Sequence, residues 1–153
     1  MKTIVKTHVG AYGIIIQDDK IALIKKSRGG YKGKLDLPGG GIEHDELPNE
    51  TLEREIMEEV GIRISNYELF DVTATNIKWQ MEKDLFEDLH HIGILYIVKT
   101  EEVKLKKEAD GLDSDGADWY PLKELAKENL SPFAIYVIEK LKYIKWFRIR
   151  IFF

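Results

Sequence analysis

Three consecutive glycines set directly ahead of an acidic helix constrain this chain more than any other feature. Leu37-Pro38-Gly39-Gly40-Gly41 interrupts regular structure. Proline fixes its own φ and removes a donor, and glycine accepts conformations closed to other residues. Residues 48–60 then carry a helical apolar period, with Pro48 at the first helical position and Gly61 suited to the left-handed residue that ends a helix. Between Glu43 and Glu59 stand eight carboxylates and one arginine, Arg54, a local charge of −7 in a chain whose total is −4. The remaining residues therefore carry +3, and the acidity is local.

At about 100° per residue, Glu55, Glu58 and Glu59 share one stripe of this helix, and Leu52, Ile56 and Val60 share the neighbouring stripe that faces a core. Like charges three and four residues apart cost a helix roughly 0.2–0.5 kcal/mol per pair. A solvated acidic face is one reading of the stripe. A divalent cation is the other, since hard ions such as Mg²⁺ or Mn²⁺ take carboxylate oxygens and share them with phosphate and water. Lys25 and Lys26 precede the glycines on a strand, and Arg28, Lys32 and Lys34 fill the intervening loop. A positive rim facing a metal-ready acidic centre is the charge layout for a metal-bound polyphosphate. Each of the two strand lysines reads equally well as a solvated strand end.

Around this centre the chain alternates strands and helices, which predicts an α/β or α+β domain. Residues 11–17 and 20–26 read as a hairpin turned at Asp18-Asp19. Residues 66–79 read as a long strand, 81–89 as a polar loop and 90–99 as a strand buried on both faces. Residues 100–118 read as an acidic loop with Asp-Gly turns, Trp119–Leu122 as a short extended piece and Lys123–Glu128 as one short helix. Ser131-Pro132 opens a last helix with Phe133, Val137, Leu141 and Ile144 on one face. The aromatic and basic tail, residues 143–153, reads as the end of a packed helix or an edge strand, or alternatively as a homodimer or membrane-surface contact.

Composition excludes several classes. At 153 residues the chain has the length of one domain, and 44% hydrophobic residues are too many for intrinsic disorder. With no cysteine there is no disulfide framework, thiolate metal site, haem attachment or cysteine nucleophile, which fits a cytoplasmic protein. Net acidity argues against a duplex nucleic-acid partner. The N-terminus lacks the pattern of a signal peptide, and no run approaches the ~18 apolar residues of a membrane span.

Gly40-x5-Glu46-x7-Arg54-Glu55-Ile56-x-Glu58-Glu59-x-Gly61-Ile62 resembles the Nudix box at every defined position. The Leu-Pro-Gly-Gly lead-in and Asp118-Trp119-Tyr120-Pro121-Leu122 extend the likeness toward the whole chain, residues 1–153, as one domain. The resemblance implies an α/β/α sandwich around a mixed β-sheet and Mg²⁺- or Mn²⁺-dependent hydrolysis of a nucleoside diphosphate linked to another group. It also implies roles. Glu58 and Glu59 are metal ligands, and Glu55 is a third ligand or the base for the attacking water. The Gly39 carbonyl is a backbone ligand. Glu46 supports the loop–helix junction, and Lys25 and Lys26 contact substrate phosphates. Arg54 orients Glu55, or else forms only a surface pair with Glu58. A further acid is expected from among Glu101, Glu102, Glu108 and residues 110–118, with no residue singled out. Trp79, Tyr12, Tyr31, Phe86 and Trp119 can stack on a base or belong to the core. His90 and His91 face opposite ways on a strand and so cannot share a metal; a strand-end packing role is expected. The rival to an enzyme is a catalytically silent nucleotide sensor.

Overall fold

Neighbouring residues on a strand send their side chains to opposite faces, and here that alternation builds two cores. The computed structural model describes residues 1–146, with side chains through Ile144. In chain order it contains β1 (Lys2–Ile14), β2 (Ile16–Gln17), β3 (Lys20–Lys26), β4 (Leu35–Asp36), β5 (Gly39–Gly41), α1 (Pro48–Val60), β6 (Asn66–Glu82), β7 (Leu85–Lys99), β8 (Ser114–Pro121) and α2 (Pro132–Trp146). Ala11, Ile15, Ala22, Ile24 and Tyr96 pack with Leu52, Ile56 and Val60 of α1. Their neighbours Tyr12, Ile14, Ile21, Leu23 and Leu95 pack instead with Phe133, Ala134 and Val137 of α2. The helices thus lie on opposite sides of the strand layer, in the expected α/β/α order.

The strand layer comprises two sheets rather than one. The first runs β5-β1-β7-β6 and is mixed, because β1 and β7 are parallel while the other pairs are antiparallel. The second joins β2, β3, β4 and β8, with β3 pairing antiparallel to the other three. Asp18 and Asp19 turn the β2–β3 hairpin with φ of 49° and 62°, a conformation that Asp tolerates.

α1 has the predicted bounds. Its N-terminal Leu47 N–H is bonded by the Glu50 carboxylate at 3.1 Å. Gly61 closes it at φ 74°, donating to the Ile56 and Met57 carbonyls. Ser131 starts α2, its hydroxyl accepting the Ala134 N–H at 3.2 Å.

Several expectations are corrected. Residues 114–118 open β8 rather than close the acidic loop, because they pair with β3. Residues 81–89 are not a loop: β6 runs to Glu82 and β7 starts at Leu85, with Asp84 at φ 61° in the turn. The run is polar because this end of the hairpin is largely exposed. His90 and His91 consequently sit within β7 rather than at its end. Residues 123–128 are not one helix but parts of two 3₁₀ turns, Leu122–Glu124 and Lys127–Asn129, because Leu125 is extended and packs against the α2 core. The last helix continues to Trp146, and residues 147–153 of the aromatic tail lie outside the described residues.

Candidate active site

The glycine run lets the chain approach α1 more closely than side chains would permit. At Gly39, φ is 146° and a Cβ would lie 2.2 Å from the Ala11 carbonyl oxygen; at Gly40 a Cβ would lie 2.5 Å from Glu55 Oε1. Through this gap the Gly39 N–H donates to Glu59 Oε1 at 2.8 Å.

The stripe of three glutamates enters the protein at a slant. Glu59 is 1% exposed, whereas the Glu58 side chain is 42% exposed and Glu55 lies between. Burial pushes the Glu59 carboxyl well above the usual carboxylate range, and the charges of Glu55 and Asp113 add to this against the Gly39 hydrogen bond. Burial also raises Glu55, against the hydrogen bond from Arg54. Glu59 Oε2 is buried without any hydrogen-bond partner.

Arg54 binds in several directions. Its Nε and Nη2 fork onto Glu46 at 2.8 and 2.9 Å, its Nη1 donates to Glu55 Oε1 at 2.9 Å, and Nη2 reaches the Gly41 carbonyl at 3.3 Å. Glu58 is also within 3.5 Å. The pairing with Glu58 therefore exists, but as the outer edge of a network centred on Glu46 and Glu55. Glu46 also accepts the Thr51 hydroxyl, and the hydrogen bonds from Arg54 and Thr51 bring its carboxyl down to about 2.

The two lysines separate. Lys25 is exposed, while Lys26, on the alternate face of β3, puts Nζ 2.6 Å from Asp113 Oδ2. Of the acids left open after β7, the fold brings Asp110 and Asp113 to the site: with Glu59 they offer oxygens that all lie within 4.8 Å of one another. Asp110 shapes this loop by accepting the Leu112 and Ser114 N–H groups at 2.7 and 3.1 Å. Glu102 instead accepts the Arg63 N–H at 2.7 Å, and Asp118 lies 3.7 Å from Lys107. The Asp-Gly turns signalled that loop, but its attachment to β3 is a long-range pairing with no local signature.

His91 bonds tyrosines rather than the acids. His91 is buried, its ring nitrogens 2.6 Å from the Tyr12 hydroxyl and 2.9 Å from the Tyr31 hydroxyl. Burial, with His8 and Lys26 nearby, takes it down to about 3. Tyr12 and Tyr31 are thus engaged in the interior. Trp119 packs on the α1 core, its indole N–H donating to the Val103 carbonyl at 2.9 Å. Trp79 remains partly exposed on β6, donating to Glu87 at 2.7 Å.

The sequence model of the NUDIX domain matches residues 6–141. The chain belongs to the Nudix family. Among its Nudix relatives, it is 36% identical over 76 residues to an RNA pyrophosphohydrolase of Saccharophagus degradans, covering 50% of this chain and 45% of that one. It is 34% identical over 119 residues to an ADP-ribose pyrophosphatase of Methanocaldococcus jannaschii, covering 78% and 64%. In both cases it spans less than two thirds of the relative. An 8-oxo-dGTP diphosphatase of Escherichia coli is 31% identical over 134 residues, covering 86% and 94%. The fold matches a MutT NUDIX hydrolase structure from Burkholderia pseudomallei with a TM-score of 0.71 at 24% identity, over 89% and 98% of the two chains.

The site residues suit the divalent cation that such a family implies. The donors are all oxygens, and the orphaned Glu59 Oε2 lies buried in a group of three carboxylates.

Proposed function

We propose that residues 1–153 form a single Nudix-type hydrolase domain that uses Mg²⁺ or Mn²⁺ to cleave the phosphoric anhydride bond of a nucleoside diphosphate linked to another group. The unpartnered, buried Glu59 Oε2 carries this reading, because a structural carboxylate at that depth would be hydrogen-bonded through both oxygens. Glu55, Glu58, Glu59 and the Gly39 carbonyl would hold the cation. When bound, it neutralises phosphate charge and acidifies water.

This chain's residues supply the rest. Glu55 accepts a proton from the water whose oxygen attacks phosphorus; the anhydride P–O bond breaks and the departing phosphate takes the electron pair. Burial raises its carboxyl, which makes it a better base than a solvated glutamate. Arg54 positions Glu55, and Glu46 positions Arg54 through the two-point fork. Lys26 lies nearest the carboxylates and is the lysine for substrate phosphate; Lys25 faces away.

The relatives' names support a nucleotide-type substrate, and the net acidity of the chain argues against a duplex nucleic-acid partner. No helix among the described residues is long and apolar enough to cross a membrane. The absence of cysteine supports action in the cytoplasm. A homodimer is part of the same proposal. The test is a screen of the purified protein with Mg²⁺ against ADP-ribose, 8-oxo-dGTP, nucleoside triphosphates, dinucleoside polyphosphates and nucleotide sugars. Chelator-sensitive release of a nucleoside monophosphate is expected. Tight nucleotide binding without turnover of any of them would make the protein a sensor instead.

A further inference from the structure

We infer that Lys26 is a built-in counter-ion of the metal site: it pairs with Asp113 when no divalent cation is present, and gives up Asp113 to join Asp110 and Glu59 when one binds. The inference rests on the metal-dependent reading above and adds to it two loop acids and an exchange of cations.

Three segments distant in the chain meet here. Glu59 comes from the end of α1, Lys26 from the end of β3, and Asp110 and Asp113 from the loop before β8. Oxygens of the three acids lie within 4.8 Å of one another. Carboxylates that close repel strongly unless a cation sits among them. Lys26 is that cation: Nζ is 2.6 Å from Asp113 Oδ2, and only 15% of the Lys26 side chain is exposed.

The pair leaves the cluster incompletely satisfied, since Lys26 bonds Asp113 while Glu59 Oε2 has no partner. A divalent ion can draw on oxygens of all three acids, which a single ammonium hydrogen bond does not. Lysine suits such an exchange. Its ammonium is a compact charge on a flexible stem, unlike the planar fork of arginine. The backbone holds both partners in reach, because the Ser27 N–H donates to the Asp113 carbonyl at 2.8 Å, tying the loop to the end of β3. Once released, the Lys26 ammonium is free beside the carboxylates, where an anionic diphosphate would arrive.

The test measures Mn²⁺ binding to the whole chain by calorimetry, without substrate. Lys26→Met should bind Mn²⁺ roughly tenfold more tightly than wild type, the competition expected of one charge-assisted hydrogen bond. Asp113→Asn should bind at least about tenfold more weakly, and adding Lys26→Met to it should restore little. Lys25→Met should bind as wild type. Unchanged or weaker binding in Lys26→Met would overturn the inference, as would equal tightening in Lys25→Met, which would reflect net charge alone. In wild type, amine labelling of Lys26 read by peptide mass spectrometry should speed up on adding Mn²⁺; an unchanged rate would also overturn it, even if a variant fails to fold. Because no substrate is present, failure of the exchange leaves hydrolysis standing, and an inactive protein that shows the exchange would sink only the hydrolase reading.

Discussion

The backbone N–H of Gly39 and Oε1 of Glu59 are hydrogen-bonded at 2.8 Å, while Glu59 Oε2, on the same carboxylate, is buried without a partner. One oxygen locks the glycine turn to the helix, and in the proposed function the other is an oxygen for the cation. The same carboxylate therefore links fold to chemistry.

Glu59→Gln should abolish most turnover while keeping the fold. Because burial raises the folded carboxyl above its ordinary value of 4.5, metal-free wild type should lose stability as pH climbs from that value through the raised one. The variant should flatten this slope, show a higher Tm without metal and lose the Tm gain on adding Mg²⁺. Normal kcat and an undiminished Mg²⁺ gain would make Glu59 a structural residue only.

Arg54→Lys keeps the charge but cannot fork onto Glu46 while also holding Glu55. Misplacing Glu55 weakens the transition state more than the ground state, so kcat should fall by about tenfold or more, with KM and nucleotide Kd little changed. Steady-state kinetics and equilibrium binding check this, and an unchanged kcat would remove Arg54 from the mechanism.

Gly40→Ala would place a methyl group 2.5 Å from Glu55 Oε1, the movable end of a side chain, whereas Gly41→Ala would meet the His8 ring at 2.5 Å. The first substitution should lower kcat sharply with little change in Tm, because the carboxylate can move aside but then leaves its position. If Gly40→Ala turns over normally, the position of Glu55 does not govern the rate.

His91 is held neutral, with its folded value near 3 against an ordinary 6.5. The unfolded chain takes up the proton first on acidification. The stability from this group is therefore complete above pH 6.5 and lost as pH falls toward 3, by at most ~5 kcal/mol. Urea unfolding from pH 7 to pH 4 should show the loss in wild type and a shallower one in His91→Gln. Parallel curves would assign the acid sensitivity to other groups.

Much of the site was legible in the sequence because its determinants are local. The bounds of α1, the turn at Gly61 and the common stripe of Glu55, Glu58 and Glu59 follow from helical period and terminal residues within one short segment. The same holds for Ser131 starting α2, and for the α/β alternation of strands and helices.

Tertiary structure alone decided what depends on segments far apart in the chain. Pairing of β1 with β7 and of β3 with β8 split the strands into two sheets. Packing of α1 against them made Glu59 buried and Glu58 exposed, though both lie on one stripe. The β3–β8 pairing selected Asp110 and Asp113 from a run of acids and turned Lys26, not Lys25, inward. Sequence spacing sets which side chains share a face of one element. Which face meets which partner, and at what depth, is set by the burial of apolar surface over the whole domain.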